Sequence, residues 1–447
     1  ITMADNQSLT ARVMRGGAWI YGRFVATSAI NLAVMAILAR QLRPTDFGVV
    51  ALASVILRLL VIVGAEGVSE FVIYDNKEGR EQRVQAAFWM DLAFSLVAVL
   101  VGLLCVPYVA DFFQKPELAS ILVALLLKYL LDNTSKVPDA LLKKRLDFKK
   151  LVVRDTALEI AASLASVTMA LTGHGVWSLV IPGLVIAPFR TLIVFKMAAW
   201  IPGLNMYFKS WPGIFKYSAY VIGGTLTSYV ITDGDTLFVG KVLGSEAVGI
   251  YNLSFLAATM VPRNVTGVAN RLALPALSIV AADIAQLRGV VDRMLKIISM
   301  VTFPLLLGLF VVADDFVLAV YGPQWTKAVL PLRIMIIFAL RYSVGGVASA
   351  LWKATGRTDI SFKLGVVTVP FFIASIWLGG FYGIVGVAAA ITVVRTLMGL
   401  VSFKLMGQCL NTGFWGMIKP LVPGFMASCW MGAVVYLCGL ITDKLLN

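Results

Sequence analysis

Apolar residues recur along this chain in uninterrupted segments of about twenty, separated by short polar breaks that carry glycine, proline or basic side chains. A helix of that length crosses the hydrocarbon layer of a bilayer, about 30 Å thick. The pattern predicts thirteen spans, at 17–39, 47–73, 84–108, 118–138, 151–172, 176–198, 214–240, 246–277, 290–312, 327–351, 361–379, 382–404 and 420–441. No stretch between them is long enough for a soluble domain. Some spans exceed the bilayer thickness, and residues such as Pro262 and Pro275 offer kinks or re-entrant ends.

Basic residues sort by loop. With a cytoplasmic N-terminus, the inner loops and flanks hold 25 of the 38 lysines and arginines and the outer side only six. Such a bias sets the orientation, because positive charge stays on the cytoplasmic side. The longest basic run, within 140–150, reads as a topogenic flank for lipid headgroups.

Composition agrees: 59% of the 447 residues are hydrophobic and only 14% charged, and the mean hydropathy is +0.87. The net charge of +14 belongs to the loops of a membrane protein, and no exposed basic domain exists for nucleic acid. Four cysteines without a CxxC pair and a single histidine, His174, provide no metal site, disulfide framework or histidine triad. No phosphate-binding GxxxxGK[ST] loop occurs. A cofactor is not expected.

Seven basic residues remain inside predicted spans: Arg23, Arg58, Lys128, Arg190, Arg333, Arg341 and Arg395. A guanidinium at the centre of a span costs roughly 2.5–3.5 kcal/mol on the insertion scale, so each needs a partner or a wet cavity. Lys128 and Asp132, four apart, are expected to neutralise one another. Arg190 and Arg395 are expected to snorkel from helix ends. Arg23, Arg58, Arg333 and Arg341 lie deeper and point to a cavity, while Arg263 suits either a cytoplasmic flank or the lumen.

The chain also repeats itself. A shift of 201 residues aligns Ala18 with Ala219, Gly22 with Gly223, Leu42 with Leu243, Gly48 with Gly249 and Leu52 with Leu253. Further echoes in the same order join 102–112 to 308–316 and 140–149 to 350–363. The shift spans six predicted helices, an even number, so the copies are parallel and related by an axis along the membrane normal. The expected fold is an all-α polytopic membrane protein with 12–14 spans. It comprises an N-terminal lobe of six helices (1–200), a C-terminal lobe of six (201–405) and an additional membrane segment (406–447).

Parallel duplicated bundles suit alternating access with cargo held between lobes. Polar stripes agree: Arg23, Thr27 and Asn31 share one face of the first span, and Ser54, Arg58, Glu66 and Glu70 make an interrupted stripe on the second. The seventh offers Thr225, Tyr229 and Asp233, and the eighth Asn252, Thr259, Arg263, Thr266 and Asn270. The expected cavity residues are Arg23, Thr27, Asn31, Arg58, Tyr229, Asn252, Arg263, Asn270, Arg333 and Arg341. Glu66, Glu70, Asp233 and Asp235 are candidates for coupling to H+ or Na+, or for simple pairing with the arginines.

Gly17-Ala18-Trp19, Ala39-Arg40-Gln41-Leu42 before Asp46-Phe47-Gly48, Asp233-Gly234-Asp235 leading to Gly240-Lys241-Val242-Leu243-Gly244, and Val248-Gly249-Ile250-Tyr251-Asn252 together resemble a known family. They are similar to the Wzx-type polysaccharide and O-antigen flippases of the multidrug/oligosaccharidyl-lipid/polysaccharide (MOP) exporters, most like the colanic-acid and teichuronic-acid branch. The resemblance implies the MOP exporter fold in the bacterial inner membrane. It also implies movement of an undecaprenyl-pyrophosphate-linked oligosaccharide from the cytoplasmic to the periplasmic leaflet, without enzymatic catalysis. Membrane lipids and a polysaccharide polymerase are the implied partners. Related lipid II flippases place arginines on the first, second and eighth helices, which by element correspond to Arg23, Arg58 and Arg263 or Arg271. The odd span count departs from the family pattern, through a shortened C-terminus or a re-entrant piece in 406–447. The alternatives are a MATE-like ion-coupled multidrug exporter, whose cationic cargo an arginine-rich lumen serves badly, and a membrane-embedded surface-polysaccharide polymerase or ligase, which would need a large periplasmic loop.

Overall fold

The structure, a computed structural model, describes residues 30–65, 67–74, 79–145 and 148–446. Among these, every regular element is helical. The chain runs α1 (Ile30–Gln41), α2 (Pro44–Ala65), α3 (Val68–Tyr74), α4 (Arg80–Phe113), α5 (Glu117–Thr134), α6 (Lys136–Lys144), α7 (Phe148–Leu171), α8 (Ile181–Ala198) and α9 (Trp211–Ile279). It continues through α10 (Ile284–Val311), α11 (Ala313–Phe316), α12 (Val329–Ala354), α13 (Thr358–Gly380), α14 (Gly383–Cys409), α15 (Gly413–Ile418) and α16 (Val422–Leu446). Nine segments among the described residues are long and apolar enough to cross a membrane, and the chain is a multi-pass membrane protein.

Local chemistry sets the breaks. Gly244 takes φ 84° and ψ 175°, a backbone open to glycine alone, and divides α9 into limbs matching the seventh and eighth predicted spans. Asp283 caps α10, its carboxylate accepting from the backbone N–H of Ala285 and Gln286, which fixes the start at Ile284. Pro262 and Pro275 lie within the second limb without ending it. The basic run after α5 is not a loop: Lys136–Lys144 forms α6, whose Val137, Ala140 and Leu141 are buried. Its apolar face joins the core while Lys143 points outward.

The packing resolves two units, one ending at Asp233 and one beginning at Gly234. In the first, α2 packs on α4 and α5, and α5 on α8. Val68, Val84, Phe88, Met90 and Ile214 form one of its cores. In the second, α10 packs on α12 and α16, and α14 on both α12 and α13, around Leu295, Val347, Trp352 and Met406. Outward positions such as Leu104, Leu164 and Phe371 are exposed, as lipid-facing surfaces require.

The α13–α14 hairpin closes backbone to backbone. A Cβ on Gly379 would lie 2.6 Å from the carbonyl oxygen of Gly386, so both positions exclude a side chain. Gly379→Ala is expected to cost about 1–3 kcal/mol by overpacking, read as a lower melting temperature of the purified protein.

Candidate functional site

The first unit places a cation on α2 and its carboxylate on the first limb of α9. Arg58 Nη1 lies 2.9 Å from Asp233 Oδ2 and donates to Oδ1 at 3.1 Å. One turn earlier on the same limb, the buried Tyr229 hydroxyl donates to the Val55 carbonyl at 3.0 Å. Tyr229 and Asp233 thus stand four apart on one face and hold Val55 and Arg58, three apart on α2. Thr232 Oγ1 donates to Asp233 Oδ2 at 2.7 Å. The Arg58 side chain nevertheless stays 54% exposed, so the tether orients the guanidinium and leaves part of its donor fork open.

The second unit contains a buried charge centre. Asp235, 2% exposed, accepts from the Tyr251 hydroxyl at 2.7 Å and from the Thr236 backbone N–H at 2.8 Å. Arg395 Nη2 on α14 approaches its carboxylate at 3.5 Å. The Arg395 guanidinium lies over three rings, Phe338 at 5.1 Å, Phe372 at 5.2 Å and Phe255 at 5.6 Å. Ring faces and carboxylate together replace the hydration the charge loses. Arg263 lies 5.4 Å from the Phe255 ring centroid, so one ring serves two arginines. Arg341, on α12, extends along α14 at Gly399.

The other expected site residues fall as follows. Asn31 donates to Glu159 Oε1 at 2.9 Å, linking α1 to α7. Asn252 is half-buried on the second limb of α9. Arg333 does not reach the charge centre: it binds Asp314 Oδ2 at 2.5 Å and the Phe310 carbonyl at 3.2 Å. It stands near the start of α12, and its long side chain reaches the end of α10 and α11 and ties these helix ends together. Arg23, Thr27 and Glu66 lie outside the described residues, as do the side chains of Glu70 and Asn270.

Two other pairings bear on the sequence reading. Lys128 and Asp132 pair at 2.6 Å, as their spacing predicts, and Arg190 adds a contact to Asp132 at 3.9 Å. Arg395 corrects an expectation: only 8% exposed, it does not snorkel, because mid-helix on α14 no interface is in reach and Asp235 is. Its partner lies 160 residues away, and no local pattern announces it.

The profile of the polysaccharide biosynthesis protein family matches residues 37–330. The chain belongs to that family. Among its relatives, the lipopolysaccharide biosynthesis protein WzxC of Escherichia coli (strain K12) is 27% identical over 406 residues, covering 89% of this chain and 82% of WzxC. The teichuronic acid biosynthesis protein TuaB of Bacillus subtilis (strain 168) is 23% identical over 447 residues, covering 98% and 91%. The lipid II flippase MurJ in an inward closed conformation shares the fold with a TM-score of 0.76 at 13% identity, covering 96% of this chain and 100% of MurJ. This member of the polysaccharide biosynthesis family therefore has the all-α fold that MurJ has.

Proposed function

We propose that this protein moves an undecaprenyl-pyrophosphate-linked oligosaccharide from the cytoplasmic to the periplasmic leaflet of a bacterial inner membrane, its N-terminus cytoplasmic. Movement is by alternating access of the two sequence repeats, 1–200 and 201–405, with 406–447 as an added membrane segment. A polysaccharide polymerase would take up the delivered unit. The observation that carries the reading is family membership, and the chemistry of Arg58 supports it.

A diphosphate presents oxygens matched to a guanidinium fork. Arg58 is pre-oriented by Asp233 and Tyr229, and its exposed edge can accept such an anion. Within the same unit, Asn31 adds a neutral amide of the kind that sugar hydroxyls need. As cargo phosphate engages Arg58, it competes with Asp233. The released carboxylate would then gain stability from a proton or Na+, a direct route to ion coupling. Asp235 is a weaker coupling candidate, because Tyr251, Thr236 and Arg395 already satisfy it. A MATE-like reading is disfavoured by the arginine excess, which repels organic cations.

Cells depleted of the protein are expected to accumulate lipid-linked oligosaccharide with its sugar facing the cytoplasm, measured by protection from an externally added glycosidase in spheroplasts. Unchanged sugar exposure on the periplasmic face, together with a new sensitivity to cationic drugs, would instead support multidrug export.

A further inference from the structure

The basic run at 140–150 ends on a shaped surface that the site around Arg58 does not use. Between the start of α7 and the end of α8 lies a cavity of about 550 Å³. α7 contributes Lys149, Lys150 and Arg154 together with Val153, Ala157 and Leu158, and α8 contributes Ile193 and Met197. On α7 these positions recur at intervals of three and four, so they share one helix face; on α8 the two stand one turn apart. No carboxylate lines the cavity among the described residues.

Packing behind the cavity fixes its shape. On the inward side of the same two helices, Leu151 and Val194 are buried against Leu142 of α6, and Arg145 donates to the carbonyl of Ala198, the last residue of α8, at 2.9 Å. The Arg154 side chain is 5% exposed and binds Asp139 of α6 at 2.8 Å and Asp155 at 2.6 Å. Its guanidinium anchors α6 to α7, while Lys149 and Lys150 stand exposed on the rim. Beyond that rim the walls are apolar and open, with Val153, Ala157 and Ile193 exposed. From Lys150 to Leu158 the helix rises about 12 Å, which carries the groove from headgroup level into the upper hydrocarbon. A flank that only sets topology needs the charges. It does not need a hollow continuing along the helix, and the small Ala157 side chain keeps this one open.

We infer that this groove is a site for an anionic phospholipid of the inner leaflet, its phosphate held by Lys149 and Lys150 and an acyl chain laid along Val153, Ala157 and Ile193. Charge and depth together select the occupant. Two ammonium groups favour an anionic headgroup over a zwitterionic one, and the apolar walls call for a chain that a soluble phosphate lacks. The proposed cytoplasmic N-terminus puts this end of α7 at the leaflet whose surface potential is negative. The site lies within the first unit and stands whether or not the protein carries a lipid-linked sugar.

The test is native mass spectrometry of the purified full-length protein, released from detergent micelles doped with phosphatidylglycerol or with phosphatidylcholine of the same acyl chains. Wild-type protein is expected to retain one phosphatidylglycerol at a lipid concentration roughly 10- to 30-fold below that needed for phosphatidylcholine, the preference two lysines supply at a membrane surface. The double variant Lys149→Gln, Lys150→Gln should bind the two lipids alike. Lys209→Gln with Lys216→Gln, the same charge change at exposed positions outside the cavity, should keep the preference. Ala157→Trp fills the hollow and should weaken both lipids. The exposed lysine substitutions are expected to leave the melting temperature within about 2 °C of wild type, because surface charges contribute little to stability. Equal retention of the two lipids by wild type, or a preference that survives loss of Lys149 and Lys150, overturns the proposal. So does retention of undecaprenyl phosphate in place of phosphatidylglycerol when both are present, which would give the groove to the carrier lipid.

Discussion

Asp235→Ala is expected to destabilise the second unit by about 3–5 kcal/mol, the cost of leaving one member of a buried ion pair without its partner. The carboxylate is 2% exposed and Arg395 8%, so water cannot replace what is lost. The three rings around Arg395 contribute cation–π attraction, which falls short of solvating a full charge in a low-dielectric interior. Tyr251 would also lose its acceptor. Asp235→Asn keeps an acceptor for Tyr251 and is expected to cost less. The double variant Asp235→Ala, Arg395→Met removes both charges and should recover most of the loss, because a buried pair is often replaceable by apolar side chains of similar volume. Thermal unfolding of the four proteins closes the cycle. Additive losses would mean that the two residues do not depend on one another.

Arg58→Ala is expected to reduce translocation roughly 10- to 100-fold while membrane abundance stays near that of wild type, the effect of losing one charge-assisted contact of about 1.5–3 kcal/mol. Abundance should hold because the Arg58 side chain is 54% exposed, and exposed ion pairs contribute little to stability. Arg58→Lys should restore only part of the rate, since an ammonium cannot grip a diphosphate with a planar fork. Asp233→Asn should act in the opposite sense on binding. With its competitor neutralised, Arg58 holds the anion more tightly, and the dependence of transport on a proton or Na+ gradient weakens. An Arg58→Ala protein that transports at the wild-type rate would remove Arg58 from the cargo path.

Much of the fold was legible because hydrophobic runs and their breakers are local. The break between the seventh and eighth spans falls at Gly244, where only glycine fits the backbone, and the Lys128–Asp132 pair follows from helical spacing. Boundaries moved where polar turns continue a helix beyond its apolar stretch. The third predicted span, 84–108, becomes Arg80–Phe113, and the basic run read as a topogenic flank begins inside α6. The charge partners were not legible. Arg58 and Asp233 are 175 residues apart, and Arg395 and Asp235 are 160 apart. Hydropathy shows that each charge in a span needs compensation without naming its source. Thus Arg333 and Arg341, alike by sequence, diverge in the structure: one is tied to Asp314 and a carbonyl, the other lies against Gly399 with its Nε buried and without an acceptor among the described residues.

Transport of an anionic lipid-linked saccharide is tested most directly in proteoliposomes carrying a fluorescent diphosphate-linked oligosaccharide. Translocation is read as quenching by a membrane-impermeant reagent added outside. Wild-type protein is expected to expose the saccharide on the opposite leaflet well above the rate of protein-free vesicles, with Arg58→Ala slowed as above. A wild-type rate equal to that of protein-free vesicles, with folded protein in both possible orientations and under an imposed proton or sodium gradient, would contradict transport of this cargo.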